Sequence, residues 1–451
     1  MGLLFGFILI FSLNITQLNL YDSNGYTPLI NSVTDRDYKK TEELLKSGAD
    51  PNIGRDTKKV YYKVNNETGK TPLMYAATLG DLKMVKLLLR YRADPNRKNK
   101  KGFNALLFAV KKGYHNIVYF LYSKTKDKKS SLYIAQAVLT GDLELVKFFL
   151  KNGVSLKYVK NKDTLLTLAV KGGNLEIVRL ILKKAPYYLN MPSKDGNYPV
   201  SVAIIKGNYE IFTELLKHDK IKLDIKNGFN QTLLHIAALR YGTDRMITEL
   251  LNKGIDANVR DNNGKTALFY LINRKKVSYG AKILIEKTNL KLKDKSDKTV
   301  HFYAVDNYRI FKLLNLKEKV SATIKDKWGK SLMLYIIDRG DYRVLKMFED
   351  EISKNRDFFN SQNLISVAVR RGNYDMVKIL IEAGLDVNGV KGKMAPLLKA
   401  VELNRVYILY LLLFYKADKD VFWHGRTAWS MAEQFGYRRI LFLLRDFNFE
   451  R

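Results

Sequence analysis

The chain of 451 residues contains no cysteine, and this absence excludes disulfide bonds, thiol nucleophiles and cysteine-ligated metals. It contains only eight prolines, and no proline-rich or glycine- and serine-rich linker divides it into separate domains. A length of 451 residues exceeds the usual size of a single hydrophobic core. We therefore expect either several domains or an array of repeats.

The sequence also lacks the motifs of common catalytic and nucleotide-binding sites. No HExxH, GxGxxG, GxxxxGKS/T or GxSxG pattern occurs. The histidines are scattered and show no close metal-ligand spacing: His115, His218, His235, His301 and His424. The sequence therefore predicts that the chain is not an enzyme and holds neither a metal nor a cofactor.

Acidic residues are scarce relative to basic ones. The chain has 45 Asp and Glu against 78 Lys and Arg, which gives a formal net charge of +33. Such a charge attracts nucleic acid, anionic lipid or acidic polymers. Because the basic residues are spread along the whole chain, the alternative is that they only solvate the outer faces of helices.

One apolar run, Gly2–Leu13, is shorter than the ~20 residues that a membrane-spanning helix needs. Its length matches the apolar core of a secretory signal peptide. No Lys or Arg precedes it and no small-residue cleavage site follows, so a cap over the first repeat or a misplaced start site is the alternative. Residues 1–20 thus predict an exported protein, periplasmic or secreted, if they are a signal sequence, and a cytoplasmic one if they are a cap.

The stretch Gly69–Asn96, GKTPLMYAATLGDLKMVKLLLRYRADPN, predicts two short helices. Thr71 can cap the first helix, and Pro72 suits its first position, where the missing N–H costs nothing. Gly80 ends that helix, and the second carries an apolar stripe of Leu82, Val85, Leu88 and Leu89. A unit of this size cannot bury its apolar face alone, so it must stack on copies of itself.

This stretch closely resembles an ankyrin repeat, and copies recur at intervals near 33 residues, as between Gly69 and Gly102. About thirteen copies, several of them degenerate, fill residues 21–451, with an insertion predicted as a long hairpin loop at about 53–65. The resemblance implies an all-α solenoid of antiparallel helix pairs with short β-hairpin loops. It also implies that His235 hydrogen-bonds the turn of a neighbouring repeat.

Ankyrin repeats bind proteins through hairpin tips and first helices, so the resemblance implies a partner-binding surface there. The register places Glu67, Thr68 and Lys70 at the tip of the second repeat. Corresponding tips carry large aromatic side chains: Phe103, Tyr198, Phe229, Trp328 and Trp423. Such side chains dominate binding hot spots. The alternative is that each ring packs on the stem of the next hairpin.

The leading hypothesis is a monomeric, non-enzymatic scaffold that presents a basic concave and hairpin surface to an acidic protein partner. A binder of an anionic polymer or membrane, such as nucleic acid, phospholipid or wall polymer, is the alternative. A secreted effector delivered to a host is a third possibility.

The register predicts the effect of two substitutions on the free energy of unfolding. Leu88→Ala removes a core side chain of the second repeat and should destabilise the protein by ~2–5 kcal/mol. Lys70→Ala at a solvated tip should change stability by less than ~0.5 kcal/mol. Urea unfolding of both variants measures these values, and equal costs would show that the register is wrong.

Overall fold

The computed structural model describes residues 17–56, 68–157, 159–160, 163–193, 195–272 and 277–447. The run Gly2–Leu13, the tip residue Glu67 and most of the predicted insertion therefore lie outside the described residues. Two compact units divide the chain, Met1–Lys222 and Leu223–Arg451. Both units consist of short α-helices joined by tight turns.

In the first unit the helices form pairs, each with an inner helix followed after a short turn by an outer helix. The pairs are α1 (Pro28–Thr34) and α2 (Tyr38–Lys46), α3 (Pro72–Leu79) and α4 (Leu82–Arg90), α5 (Ala105–Lys112) and α6 (His115–Lys124), α7 (Ser131–Thr140) and α8 (Leu143–Lys151), α9 (Leu165–Gly172) and α10 (Leu175–Lys184), and α11 (Pro199–Lys206) and α12 (Tyr209–Leu216). An antiparallel hairpin of β1 (Val159–Lys160) and β2 (Asp163–Thr164) precedes α9.

The second unit repeats this arrangement. Its pairs are α13 (Leu233–Ala238) and α14 (Asp244–Asn252), α15 (Ala267–Ile272) and α16 (Tyr279–Lys287), α17 (His301–Ala304) and α18 (Tyr308–Lys317), α19 (Leu332–Arg339) and α20 (Tyr342–Lys346), α23 (Leu364–Arg371) and α24 (Tyr374–Glu382), α25 (Pro396–Glu402) and α26 (Val406–Phe414), and α27 (Ala428–Gln434) and α28 (Arg438–Asp446). A hairpin of β3 (Phe422–Trp423) and β4 (Arg426–Thr427) precedes α27. The expected all-helical array of pairs with short hairpins is confirmed.

Two helices interrupt the repeat pattern between α20 and α23. They are α21 (Glu349–Lys354) and α22 (Arg356–Ser361), in a stretch to which the repeat register assigns no element. Ile352 and Phe359 anchor them, since both side chains are fully buried. The extra helices therefore belong to the packed core of the second unit.

The local signals of the second repeat act as the sequence predicts. The Thr71 hydroxyl accepts a hydrogen bond from the backbone N of Met74 at 3.4 Å, with Pro72 at the first helical position. Gly80 ends α3 with φ 78°, a left-handed conformation that side chains with a Cβ rarely adopt. Asp81 then caps α4 by accepting from the backbone N of Met84 at 2.9 Å.

The core forms between successive inner helices. Helix α3 packs against its own outer helix α4 and against the inner helices α1 and α5 on either side. Leu73 and Leu88 are fully buried at these contacts. Because inner helices such as α3, α5 and α7 contact the inner helix on both sides, the apolar face of one repeat is covered only when the adjacent repeats are present.

Backbone hydrogen bonds join the two described segments on either side of residues 57–67. The backbone N of Arg55 donates to the carbonyl of Lys70 at 3.0 Å, and the N of Gly69 donates to the carbonyl of Arg55 at 2.8 Å. Two consecutive residues thus face Arg55, which is the residue count of a β-bulge. Most of the predicted hairpin loop at about 53–65 lies outside the described residues, so it stays a prediction.

The expectation that Lys70 is a solvated tip residue is wrong. Lys70 is only 4% exposed. Its ammonium lies 4.1 Å from the ring centroid of Tyr75 and 4.9 Å from that of Phe108. The lysine side chain therefore points into an aromatic cleft between two repeats, formed by Tyr75 and Phe108, instead of into solvent.

The burial of Lys70 changes the stability prediction for this position. Lys70→Ala should now destabilise the protein by ~1–2 kcal/mol, because it removes a desolvated cation–aromatic contact as well as packed methylene groups. Lys70→Met, which keeps the apolar stem, should cost roughly half as much. Lys83→Ala on the exposed face of α4 is the matched control and should cost less than ~0.5 kcal/mol.

Urea unfolding of the three variants measures these differences. Equal stability of Lys70→Ala and Lys83→Ala would contradict the aromatic cleft around Lys70.

Candidate protein-interaction surface

The hairpins of the second unit are built on turns closed by an acidic side chain. One carboxylate oxygen of Asp261 accepts hydrogen bonds from the backbone N of Asn263 at 2.8 Å and of Lys265 at 3.0 Å. Asp294 and Asp326 bind the amides two and four residues ahead in the same way. Each turn is therefore closed by its own aspartate, as Asp favours in tight turns.

The second oxygen of each aspartate binds a tyrosine of the following inner helix. The hydroxyl of Tyr303 donates to Asp294 at 2.5 Å, and that of Tyr335 donates to Asp326 at 2.8 Å. Tyr270 donates to Asp261 in the equivalent position. Burial, together with the bonded carboxylate of Asp326, raises the pKa of Tyr335 to about 12. These contacts fasten each hairpin to the helix that follows it.

A lysine in each turn extends this network to the next repeat. The ammonium of Lys298 lies 4.7 Å from the ring centroid of Tyr335 and 3.8 Å from the carboxylate of Asp326. Lys265 similarly lies 4.6 Å from the ring centroid of Tyr303. These inward-facing lysines bind within the protein, so they link consecutive repeats instead of presenting charge to a partner.

Phe229 and Trp328, two of the predicted aromatic tips, face solvent. Phe229 is 69% exposed and Trp328 is 66% exposed. Their hairpins are joined to neighbours through the backbone: Asn262 N donates to the carbonyl of Phe229 at 3.0 Å, and Lys327 N donates to that of Ser296 at 3.0 Å. Both rings therefore project from a row of hairpins whose backbones are fixed against each other.

The other predicted tip residues are less exposed. Thr68 is half-buried, and its carbonyl accepts from the backbone N of Lys100 at 3.2 Å. Phe103 is half-buried, with its ring 6.1 Å edge-on from that of Phe108. Tyr198, at the start of α11, and Trp423, in β3, are also half-buried. Phe103 thus contacts the inner helix of its own repeat, and packing of these rings on the stem of the next hairpin stays an untested alternative.

A cavity opens between three hairpins of the second unit. Its volume is about 450 Å³, and its walls include Lys226, Arg260 and Lys295. Gly264 lies in the wall, where an added Cβ would come within 3.0 Å of the backbone N of Lys295. The glycine therefore allows two hairpins to approach each other closely.

The sequence reasoning missed the outward-facing basic residues of these hairpins and an aromatic group on the outer helices. One face of α26 carries three exposed aromatic residues, Tyr407, Tyr410 and Phe414. Phe442, on α28, is also exposed. Their i, i+3 and i+7 spacing was the available signal, but the same spacing also describes a buried stripe.

His235 has the structural role that the ankyrin resemblance implies. Its Nε2 lies 2.9 Å from the carbonyl of Lys265 in the next repeat, and its Nδ1 lies 2.8 Å from the hydroxyl of Thr232. Burial lowers the pKa of His235. The imidazole therefore ties two repeats together as a buried, neutral group.

His301 is a histidine at a core position. It lies two residues after Thr299, where the other repeats place apolar residues such as Leu73 and Leu268. His301 is 2% exposed, and within the described residues its Nε2 has no hydrogen-bond partner. Burial lowers the pKa of His301 to about 4, and the charge of Glu318 offsets only part of that effect.

Neither a metal-ligand cluster nor a membrane-spanning helix occurs in the described part of the chain. Among those residues, no three His, Asp or Glu side chains are grouped so that they could hold a metal ion. None of the helices there has the length and apolar run needed to cross a bilayer.

Comparison with known proteins gives the family. The sequence profile described as "Ankyrin repeats (3 copies)" matches residues 56–131, 134–227, 234–326 and 302–422, which is more than half of the chain. The chain therefore belongs to the ankyrin repeat family. Ankyrin repeats generally mediate protein–protein interaction and are typically non-enzymatic scaffolds.

Individual relatives share only part of their length with this chain. Ankyrin repeat and SAM domain-containing protein 6 of Rattus norvegicus is 32% identical over 109 residues, 23% of this chain and 12% of that protein. E3 ubiquitin-protein ligase KEG of Arabidopsis thaliana is 27% identical over 152 residues, 31% of this chain and 9% of that protein. Neurogenic locus notch homolog protein 1 of Xenopus tropicalis is 25% identical over 162 residues, 36% of this chain and 6% of that protein. The chain thus spans a small fraction of these relatives.

His301 predicts a loss of stability in acid. An unfolded histidine protonates near pH 6.5, whereas folded His301 resists protonation until about pH 4. The contribution of neutral His301 to the free energy of unfolding is therefore complete above about pH 6.5. It decreases as the pH falls toward 4, by roughly 2 kcal/mol at pH 5. His301→Leu should remove this part of the loss.

Urea unfolding of the wild type and His301→Leu at about pH 7 and pH 5 measures the difference. His235 is unchanged in both proteins, so its own contribution cancels. An identical loss in the two proteins would mean that His301 titrates normally.

Proposed function

We propose that the chain is a scaffold that binds an acidic protein partner through the hairpins of its second unit. The binding surface, called here the hairpin face, comprises residues 226–229, 260–263, 293–296 and 325–328. Its exposed rings are Phe229 and Trp328. The single observation that carries the proposal is the exposure of these large rings among lysines, on hairpins whose backbones are linked.

The energetics favour binding at this face. Water leaves an exposed aromatic ring when a partner covers it, and aromatic residues at the centre of an interface often supply most of the binding free energy. The ring centroid of Trp328 lies 4.4 Å from the ammonium of Lys327, so a carboxylate that binds this lysine would lie next to the ring. Charge would raise the association rate, and ring burial would lengthen the complex lifetime.

The charge of the hairpin face supports an acidic partner. Burial alone would raise the pKa of Asp261, but hydrogen bonds from Tyr270 and from the turn amides hold it below its usual value. Asp261 is thus charged and already bound within the protein. Exposed basic residues line the same cavity: Lys226, Arg260 and Lys295.

Binding to anionic polymer or membrane is the competing function. The inward lysines Lys265 and Lys298 bind aromatic rings within the protein, which removes part of the charge that a polyanion would contact. Export and a monomeric state stay predictions of the sequence.

The proposed function predicts which substitutions abolish partner capture. We expect the wild type to retain an acidic protein in a cross-linking pull-down. The double variant Phe229→Ser/Trp328→Ser should recover at least ~10-fold less of that protein, because two hot-spot rings are removed. Tyr279→Ser/Tyr407→Ser is the matched control, since both tyrosines are exposed aromatic residues of outer helices, and it should retain the protein.

Raising the ionic strength from about 0.05 to 0.2 M should weaken the same capture. Binding at the hairpin face would be contradicted if the Phe229→Ser/Trp328→Ser variant still retained the protein, or if only the control variant failed to retain it. Retention of the chain by heparin and by anionic vesicles, with no dependence on Phe229 or Trp328, would favour the competing function.

A further inference from the structure

Four consecutive hairpins of the second unit carry a basic residue at the same register position. These residues are Lys226, Arg260, Lys293 and Lys325, and each immediately precedes the Asp or Asn that closes its turn. We call this set the basic row. All four are exposed.

The exposure of the basic row follows from the burial of the turn residues. Asp261, Asp294 and Asp326 are buried against the inner helices, where they bind the tyrosines. Successive side chains of an extended chain point to opposite sides. The residue before each of these aspartates therefore faces away from the helices, and Arg260, Lys293 and Lys325 are exposed there. Lys226 is exposed in the same way before the half-buried Asn227.

Backbone contacts hold the row in register. Asn262 N donates to the carbonyl of Phe229 at 3.0 Å, and Lys295 N donates to that of Asn263 at 2.9 Å. Arg260 also reaches the next hairpin, where its guanidinium donates to the carbonyl of Lys293 at 3.3 Å. At the last hairpin, the ammonium of Lys325 lies 5.3 Å from the ring centroid of Phe358. The charges are thus carried by a fixed backbone.

The expected spacing of the row favours one backbone conformation in a bound peptide. Stacked helices pack about 8–10 Å apart, so we expect the backbone positions of equivalent residues in adjacent repeats at about that distance, and the long side chains of the row can adjust to a ligand from there. A polyproline II segment advances ~3.1 Å per residue with three residues per turn, which places every third side chain on one face at ~9.3 Å.

The other regular conformations fit the row less well. In a β-strand, residues i and i+3 point to opposite sides. In an α-helix, the nearest same-face match is i+7 at ~10.5 Å, and this mismatch accumulates along the row.

The cavity lined by Lys226, Arg260 and Lys295 gives such a segment a place for one of its side chains. Its volume of about 450 Å³ exceeds that of a single carboxylate side chain. Asp261 and Asp294 also line the cavity, and both already accept hydrogen bonds from tyrosines and turn amides. The three basic groups outnumber these two aspartates, so the wall presents a net positive charge to an entering carboxylate.

We propose that the basic row binds an acidic segment in the polyproline II conformation that has a carboxylate at every third residue. This inference rests on the proposed function and specifies its partner. Four basic residues in the row correspond to a segment of about ten residues. Single exposed ion pairs contribute little, but four in one register add, because the bound geometry satisfies all of them together.

Two peptides of identical composition test the spacing. The first has glutamate at its first, fourth, seventh and tenth positions with proline and glutamine between them, and the second has its glutamates paired at the two ends. Fluorescence anisotropy with the full chain, at about 0.05 M ionic strength, should give about tenfold tighter binding of the first peptide.

Variants of the chain locate the binding. Lys226→Glu/Lys293→Glu should abolish the preference for the first peptide. Lys282→Glu/Lys312→Glu, which reverses two exposed lysines of the outer helices α16 and α18, changes the net charge equally and should preserve it. Circular dichroism of both variants verifies that they fold.

Each remaining outcome has one meaning. Equal binding of both peptides, weakened by the row variant, would overturn the spacing and leave the acidic partner of the proposed function intact. Binding of neither peptide, or a preference for single-stranded oligothymidine over both, would overturn the inference and the acidic partner together.

Discussion

Every feature of this chain depends on the contact between one helix pair and the next. A single pair leaves an apolar face exposed, and the inner helices cover that face only by packing on both neighbours, as α3 does with α1 and α5. Leu73 and Leu88 are fully buried by that contact. The same contact sets the distance between hairpins, so the requirement for core burial also fixes the geometry of the candidate binding surface.

The basic residues of the hairpins have two roles. Those that face the helices stabilise the stack, and those that face solvent form the candidate binding surface. Inward lysines such as Lys298 bind tyrosine rings and buried aspartates, which links repeats through charge as well as through apolar burial. Outward residues such as Lys226 and Lys293 are exposed. The +33 charge of the chain thus divides into a part that stabilises the stack and a part that is available to a partner.

The sequence predicted features that depend on neighbours within one repeat, and it failed where neighbours come from another repeat and no family motif marks the contact. The capping by Thr71 follows from short-range spacing, and the role of His235 was implied by the ankyrin resemblance; the structure confirms both. The burial of Lys70 was not predicted, because the aromatic ring of Phe108 that covers it comes from the next repeat. Helices α21 and α22 were missed because they follow no repeat period. Phe229 is exposed whereas Phe103 is half-buried beside Phe108 of its own inner helix, and the shared register position did not distinguish the two rings.

The most direct test of this account is to place a photoreactive phenylalanine analogue at single positions and identify what it cross-links. We expect analogues at positions 229 and 328, on the row of hairpins, to form covalent adducts with the acidic partner. Analogues at positions 279 and 407, on outer helices, should form none. Adducts formed only from the outer helices would contradict the central claim that stacking the repeats builds the binding surface from their hairpins.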